Sequence, residues 1–393
     1  MKIAYSGAKI HVGNGESFVG TLITENERIS ALYTGAVSDE DLKSADRVVS
    51  LDGMLLLPGM IDAHTHGRVG YDFTSATEEQ MKIMARSYLG SGVTTLMPTL
   101  ASAPFSQLCE ASDRIRSVAE RDDEILPWFC GVHLEGRYLN PAKRGAHAPE
   151  QLAEPNVDEL KALLPHLGKC FHISFAPECD KDGAFLETAV LAGGTVGIAH
   201  TNATYEEAIT ALQRGATSFT HTFNAMPPLH HREGGAVAAA FTSDAYAELI
   251  VDGIHVSKEM VRLAYHCKGK EKLVLITDSM EATGCADGRY SIAGQTCIVT
   301  NGIAMTEDGH LAGSTLSLFD GLQNLMRFAE TSLDEALPTV TINPAKMLGV
   351  EKMVGSLEVS KYADLLVVDP SSDKMQIRSV IMRGREVDLT TGK

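Results

Sequence analysis

The chain has 393 residues, of which 44% are hydrophobic and 22% are charged, a balance typical of a soluble globular protein and not of a disordered one. Its formal net charge of −17 disfavours nucleic acid and anionic membranes as partners, although a local basic cluster can still bind a small anionic substrate. No stretch approaches the roughly 18 apolar residues of a membrane span. The N-terminus does not resemble a signal peptide, and seven scattered cysteines without a CxxC pair favour a reducing cytoplasm.

Both ends of the chain are rich in short strand-like segments. The first fifty-odd residues alternate between apolar and polar positions and are interrupted by turn sequences. Residues 363–368 and 380–383 repeat this pattern near the C-terminus. We therefore predict that residues 1–57 and 346–393 meet in one small β-sandwich domain.

Between these ends the sequence alternates strand, loop and helix. Capping-box patterns begin helices after Thr77 and Thr204, and Asn156 is a candidate N-cap for a third helix. Eight mostly apolar segments are typical of parallel strands that are covered on both faces. They are residues 60–64, 93–97, 129–135, 171–176, 195–200, 218–221, 247–252 and 273–278. This alternation favours a (β/α)₈ TIM-type barrel over residues 58–345, with an open doubly wound sheet as the alternative.

Nitrogen and oxygen ligands stand at the ends of five of these predicted strands. They are, in chain order, His64, His66, Glu135, His200, His221 and Asp278. Because functional groups of a barrel gather where its strands end, we expect these side chains to converge. His64 and His66 lie two residues apart in an extended strand, so both imidazoles can face one ion. Such ligands suit a divalent metal, namely zinc, iron or manganese.

Further motifs follow one another in register along the chain. They are Asp62-Ala-His-Thr-His66, His133-Leu-Glu-Gly136, Gly145-Ala-His147, Ala199-His-Thr-Asn202, Thr220-His-Thr-Phe-Asn-Ala-Met226, Asp252-Gly-Ile-His255 and Ile276-Thr-Asp278. Over essentially the whole chain the sequence resembles the N-acetylglucosamine-6-phosphate deacetylases of the amidohydrolase superfamily. That family usually has proline where Arg137 stands here. Arginine lacks the fixed φ of proline, so the loop is expected to be less constrained, with the added charge either binding substrate or facing solvent.

The resemblance implies a metal site with one or two ions per subunit. Glu135, His200 and His221 would hold the main ion, with zinc preferred over iron or manganese. Family members that keep the pair His64 and His66 can hold a second ion, with Glu135 bridging the two. A bound ion lowers the pKa of a water toward ~7 and polarises a carbonyl.

The resemblance also implies roles in catalysis and substrate binding. Asp278 would take a proton from the attacking water and pass it to the departing amine. His147 would bind the substrate and donate to its carbonyl oxygen. The residues implied to hold the phosphorylated sugar are Asn224, Ala225, His230 (or its neighbour His231), Arg232 and His255. Simple structural explanations compete with two of these roles: Asp278 could cap a following helix, and Arg232 could pair with Glu233 at the surface.

The function implied is hydrolysis of the acetamide of N-acetylglucosamine 6-phosphate, which yields glucosamine 6-phosphate and acetate. A homodimer is expected, because the neighbouring subunit can complete the phosphate clamp in related enzymes. The enzymatic alternatives are a deacetylase of N-acetylgalactosamine 6-phosphate and an amidohydrolase that acts on another amide. A non-catalytic barrel is the alternative from a different class, and it is disfavoured because every candidate ligand position is filled.

Overall fold

The structure of the protein is a computed structural model that describes residues 1–35, 37–38, 42–121 and 125–388. Eight parallel strands alternate with helices in its central part. They are Met60–Thr65, Val93–Ala101, Val132–Glu135 (preceded by the short Trp128–Phe129), Phe171–Phe175, Thr195–Ile198, Ser218–Phe219, Tyr246–Ile250 and Leu273–Ile276. Each overlaps one of the eight segments predicted from the sequence, so the (β/α)₈ architecture is confirmed.

The barrel closes between its last strand and its first. Just beyond the last strand, the backbone N–H of Asp278 donates to the carbonyl of His64 at 3.0 Å. The N–H of His66 in turn donates to the carbonyl of Ser279 at 2.9 Å. An open doubly wound sheet would leave both of these edges unpaired, so the alternative architecture is wrong.

The barrel strands are buried on both faces, as the apolar runs predict. Every residue of Val93–Ala101 is buried. Successive side chains of a strand point to opposite faces, and here Leu96 and Leu100 join the large cluster that includes the surrounding helices. Met97 belongs instead to a second cluster, which also contains the short helix Ile342–Met347. Burial of both faces holds the strand ends, and the side chains they carry, in fixed positions.

Three helices begin where the capping signals predict. The helices of the structure include Glu78–Gly90, Phe105–Ala119, Val157–Leu167, Ala184–Leu191, Tyr205–Gln213, Gly235–Thr242, Lys258–Lys272, Leu318–Ala329, Leu333–Ala336 and Ile342–Met347. Thr77 and Thr204 form complete capping boxes, and the side chain of Asn156 accepts from two backbone N–H groups of its helix. Among the described residues, no helix has the length and apolarity needed to cross a membrane.

The strands of the two chain ends form one eight-stranded sheet beside the barrel. They are Lys2–His11, Ser17–Glu25, Arg28–Thr34, Arg47–Ser50, Leu55–Pro58, Leu365–Asp369, Gln376–Met382 and Arg385–Glu386. The two ends meet where Leu55–Pro58 pairs antiparallel with Leu365–Asp369. A domain built from both termini is therefore confirmed, whereas its boundaries after residues 57 and 345 stay predictions. Residues 36, 39–41 and 389–393 of this predicted domain lie outside the described residues.

A three-stranded antiparallel sheet follows the last barrel strand and was not predicted. Its strands are Gly288–Ile292, Gln295–Thr300 and Ile303–Thr306. Their inward residues, such as Cys297 and Val299, pack in one cluster with Ala146 and Met280 from loops beside the barrel. An ion pair of 2.9 Å between Arg144 and Asp308 also joins this sheet to the loop after the third barrel strand. The added sheet therefore covers one side of the barrel mouth.

Candidate metal centre

Three residues at the barrel mouth have an unusual backbone conformation. His200, His221 and Asp278 have φ values of 42°, 32° and 48°. Residues other than glycine rarely adopt this left-handed region because their Cβ atom crowds the backbone. Each such residue costs about 1–3 kcal/mol and persists where the surrounding structure holds it, most often at functional sites. The strained backbone therefore indicates a functional site at this end of the barrel.

One group of potential ligands surrounds an oxygen of Glu135. Its Oε1 atom lies 2.7 Å from Nε2 of His221 and 3.2 Å from Nε2 of His200. The two Nε2 atoms are 3.1 Å apart. All three side chains are buried. The ends of the third, fifth and sixth barrel strands thus bring together the three residues expected to hold the main metal.

A second group of potential ligands surrounds the other oxygen of the same carboxylate. Glu135 Oε2 lies 2.9 Å from Nε2 of His66 and 3.5 Å from Nε2 of His64. Asp278 Oδ1 lies 3.3 Å and 3.5 Å from the same two nitrogen atoms. Glu135 is the only residue common to both ligand groups found among the described residues. Its two oxygens face different groups, which is the geometry of a bridging carboxylate.

The donor set fits a divalent cation. Nδ1 of His200 lies 2.7 Å from the carbonyl oxygen of Lys143, which can only accept, so this nitrogen carries the ring proton. The lone pair of Nε2 in the neutral ring therefore faces Glu135. Imidazole nitrogens and carboxylate oxygens held this close repel each other unless protons or a cation lie between them. Two or three imidazoles with a carboxylate suit zinc and related divalent ions.

Burial and neighbouring charges set the protonation of these groups. Burial lowers the pKa of His200 to about 4, which leaves this imidazole neutral and able to bind a metal. Burial alone would raise the pKa of Asp278, but the charge of His64 and a hydrogen bond from His66 lower it below 3.8. Asp278 is therefore a carboxylate at neutral pH, the state that accepts a proton.

The ligand groups lie in a cavity of about 330 Å³ at the barrel mouth, a size typical of small-molecule sites. The lining includes four of the residues expected to bind substrate, and they are His147, Asn224, Ala225 and His255. His255 is held by Asp252, whose Oδ2 lies 2.7 Å from its Nδ1 atom. The cavity therefore offers both a metal centre and polar groups for a ligand.

The sequence of this chain matches a known protein family over most of its length. A model of the amidohydrolase family matches residues 55–390.

The chain belongs to the amidohydrolase family.

Similar proteins are deacetylases of phosphorylated amino sugars. This amidohydrolase is 34% identical to the N-acetylglucosamine-6-phosphate deacetylase of Vibrio furnissii, over 93% of this chain and 90% of that protein. It is also 34% identical to the N-acetylgalactosamine-6-phosphate deacetylase of Escherichia coli O157:H7, over 87% of this chain and 94% of that protein. The two similarities do not separate the two sugars.

Solved structures agree with this placement. The N-acetylglucosamine-6-phosphate deacetylase of Pasteurella multocida superposes with a TM-score of 0.90 at 28% identity, over 98% of this chain and all of that chain. An aspartate-to-alanine variant of the Mycobacterium smegmatis enzyme, solved with N-acetyl-D-glucosamine-6-phosphate, superposes with a TM-score of 0.88 at 29% identity, over 98% of each chain. The barrel and the terminal sheet therefore have the same arrangement as in these enzymes.

Two predicted substrate residues lie away from the cavity. His230 and Arg232 are exposed and are not part of the cavity lining. The guanidinium of Arg232 contacts Nε2 of His231 at 2.8 Å, so the structure favours this contact over the pairing with Glu233. The roles of His230 and Arg232 in substrate binding stay predictions.

The structural explanation for Asp278 is wrong. Turns and short strands follow this residue, and the next helix is Leu318–Ala329. Asp278 therefore caps no helix. Its backbone N–H and carbonyl join the first barrel strand and Ser314, which keeps the carboxylate over the mouth of the barrel.

Arg137 points neither into the cavity nor freely into solvent. Its Nε atom lies 2.9 Å from Glu159, and its guanidinium also donates to the carbonyl of Ala103 at 3.1 Å. Its φ of 62° is closed to proline, whose ring fixes φ near −65°. The chain therefore follows a path after Glu135 that a proline in this position could not take.

Part of the cavity wall was not predicted from the sequence. Lys143 comes from the loop after the third strand, and Ile292, Ala293, His310 and Leu311 come from the added three-stranded sheet or its edge. The alternation of polar and apolar residues over 289–292 was an available signal for a strand. Nothing in that local pattern indicates that the sheet folds back over the barrel, because this depends on packing against distant loops.

Proposed function

We propose that this amidohydrolase removes the acetyl group from N-acetylglucosamine 6-phosphate and releases glucosamine 6-phosphate and acetate. One observation carries the proposal. Glu135, His200 and His221 converge at the mouth of a closed barrel, and the carboxylate of Asp278 stands beside them. The 34% sequence identities to two deacetylases of phosphorylated amino sugars support this substrate class.

The residues of the cavity divide the chemistry between them. A divalent cation bound here supplies Lewis-acid chemistry, since it acidifies a water molecule and polarises an amide carbonyl. Asp278, which is ionised at neutral pH, accepts the proton of the attacking water and returns it to the amine that leaves. His147 donates from its ring to the carbonyl oxygen as negative charge grows there. The sugar amine thus departs as a neutral group.

The proposed metal centre has zinc as its preferred ion and holds one or two ions. Glu135, His200 and His221 form the main position, and His64 and His66 form the second with Glu135 shared. The opposite directions of the two Glu135 oxygens support two positions. Zinc is preferred over iron and manganese because imidazole ligands predominate.

Substrate binding is proposed to use the polar wall of the cavity. His255, oriented by Asp252, is placed to donate to the phosphate. The backbone N–H of Asn224 donates to the carbonyl of His221 at 2.9 Å, and one hydrogen of its side-chain amide donates to the same carbonyl at 3.2 Å. We therefore assign the anion contact in this turn to the second hydrogen of the Asn224 side-chain amide and to the backbone N–H of Ala225.

A homodimer is proposed to complete the phosphate site. His230 and Arg232 are exposed outside the cavity of their own subunit. In the proposed dimer they enter the cavity of the second copy. An arginine fork binds phosphate with two parallel hydrogen bonds. We also propose a cytoplasmic location, which seven unpaired cysteines support.

The alternative substrate is N-acetylgalactosamine 6-phosphate, which differs in the configuration of one hydroxyl. An equal identity of 34% to a deacetylase of that sugar favours keeping this candidate. An amidohydrolase that acts on another amide and a non-catalytic barrel are weaker candidates, since the full ligand set is present and the similar proteins act on these sugars.

A substrate panel with metal removal tests the proposal. Acetate release is measured for the two 6-phosphates and for the two unphosphorylated acetylated sugars, before and after chelation and after addition of zinc, iron or manganese. We expect metal-dependent release from N-acetylglucosamine 6-phosphate and much slower release from the sugar without phosphate. Faster release from the galactosamine substrate would select the alternative, and no metal-dependent release from any of the four would refute a deacetylase.

A further inference from the structure

The orientation of His147 depends on contacts behind its ring. The Nε2 atom faces the metal centre, 3.5 Å from Oε2 of Glu135. The Nδ1 atom faces away, 2.9 Å from Oγ of Ser102 and 3.4 Å from the backbone nitrogen of the same serine. A neutral imidazole has one donor nitrogen and one acceptor nitrogen. The contacts at Nδ1 therefore decide whether Nε2 offers the cavity a proton or a lone pair.

Two backbone N–H groups fix the direction of these hydrogen bonds. The N–H of Arg137 donates to Oγ of Ser102 at 3.0 Å. Since a backbone N–H can only donate, it uses an acceptor position of the hydroxyl and leaves the hydroxyl proton to be donated onward. The N–H of Ser102 itself points at Nδ1 of His147. Both donors favour an unprotonated Nδ1 and place the ring proton on Nε2.

The segment that supplies the first donor is held tightly against Ser102. Gly136 has a φ of 142°, and a Cβ atom on it would lie 2.3 Å from Oγ of Ser102. The side chain of Arg137 is anchored by Glu159 and by the carbonyl of Ala103. Ser102 is itself only 3% exposed, so water has little access to replace its hydroxyl contacts. The hydrogen-bonded chain is therefore built into the packing at the barrel mouth.

We propose that Ser102 is a positioning residue that, held by the backbone of Arg137, fixes His147 as the Nε2–H tautomer. This inference rests on the proposed function, in which His147 meets the acetamide oxygen of the substrate. That oxygen only accepts hydrogen bonds and becomes more negative during the reaction, so a fixed donor stabilises it. With the proton on Nδ1, the lone pair of Nε2 would repel the same oxygen.

The tautomer can be measured directly in the intact protein. In the zinc-loaded, ¹⁵N-histidine-labelled chain, the nitrogen shifts of His147 distinguish a protonated Nε2 from a protonated Nδ1. The signals are assigned by their loss in His147→Gln. We expect Nε2 to be protonated in the wild-type protein and both tautomers to be populated in Ser102→Ala. A protonated Nδ1 in the wild-type protein would overturn the proposal without any variant at Ser102.

Kinetics of matched serine variants complete the test. Ser102→Ala is expected to lower kcat for N-acetylglucosamine 6-phosphate about 10–100-fold, as losses of orienting partners do, with little change in KM. Ser102→Thr keeps the hydroxyl and should restore most of kcat. Ser112→Ala is the control, because the hydroxyl of this fully buried serine donates to the carbonyl of Leu108 within its own helix and has no other partner among the described residues.

The outcomes separate this inference from the proposed function. An unchanged kcat and tautomer in Ser102→Ala would refute the positioning role while wild-type deacetylation still stands. Loss of kcat in Ser102→Ala with the Nε2–H tautomer intact would also refute it. A wild-type protein that releases no acetate from either sugar phosphate would instead refute the proposed function, whatever the nitrogen shifts show.

Discussion

The barrel mouth and the terminal sheet bury different kinds of side chain. At the mouth, imidazoles and carboxylates lie within about 3 Å of one another on a strained backbone. The core of the terminal sheet consists of apolar residues such as Ile10, Leu56 and Leu365. A buried cluster of ionisable groups destabilises a fold, so such a cluster is typical of a functional site. The contrast shows that the mouth is arranged for chemistry and that the sheet contributes stability.

The terminal sheet also contains buried ionisable groups, and Asp364 is one of them. Asp364 is 5% exposed, and burial raises the pKa of its carboxyl from 3.8 to about 6. Its Oδ1 atom accepts the backbone N–H of Arg383 at 2.8 Å, which joins two strands of the sheet. This carboxylate therefore serves a structural connection, and its burial should appear in stability and not in turnover.

The largest expected effect follows from the shared carboxylate. Glu135→Gln removes the negative charge common to both ligand groups, so most bound metal and all but background activity should be lost. Metal analysis of the purified variant, together with acetate release, measures both. Glu187→Gln, an exposed change on a barrel helix, should retain wild-type metal and activity. Full metal content in Glu135→Gln would remove the basis for a bridging role.

Asp278→Asn should separate catalysis from metal binding. Loss of a group that transfers protons typically costs about 10²–10⁴-fold in rate, so kcat should fall by that amount. Metal at the main position should remain bound, because the Glu135, His200 and His221 group is untouched. Asp373→Asn, at an exposed turn of the terminal sheet, provides the matched change with no expected effect. Near-normal acetate production by Asp278→Asn would contradict the acid–base role.

The reverse pattern is expected in the terminal sheet. Leu365 is fully buried, so Leu365→Ala should lower the free energy of unfolding by about 2–5 kcal/mol. The kcat of the folded fraction should be unchanged, since no cavity residue is touched. Val19→Ala, at a position 60% exposed in the same sheet, should change stability by no more than about 0.5 kcal/mol. A marked fall in kcat without a loss of stability would mean that the sheet takes part in catalysis.

The smallest effect should come from Asp364 and should depend on pH. Because its pKa is higher in the folded state than in the unfolded state, the folded protein binds the proton more tightly. In the wild-type protein, the contribution of Asp364 to the free energy of unfolding is fully present below pH 4 and is lost as the pH rises through about 6. Asp364→Asn removes this dependence, so relative to wild type it should gain up to roughly 3 kcal/mol between pH 4 and 7. Thermal unfolding of both proteins across this pH range tests the direction of the change. A stability advantage of Asp364→Asn that shrinks as the pH rises would contradict the prediction.

Much of the fold was predictable because local patterns carry its signals. Apolar runs located all eight barrel strands, and Thr77, Thr204 and Asn156 marked helix starts through hydrogen bonds to residues two or three positions away. The antiparallel sheet over 288–306 was missed. Its alternation is shared by any surface strand, and its position over the cavity depends on contacts with distant loops.

The sequence by itself determined the residue types at the strand ends, and a barrel forces such residues toward one mouth. Only the tertiary structure decided that the two Glu135 oxygens face different imidazole pairs and that Arg232 lies outside its own cavity. It alone showed the contact of Ser102 with His147, which lie 45 residues apart in the chain. Periodicity specifies which face of an element a side chain occupies, whereas angstrom-scale distances between elements arise from how the whole chain packs.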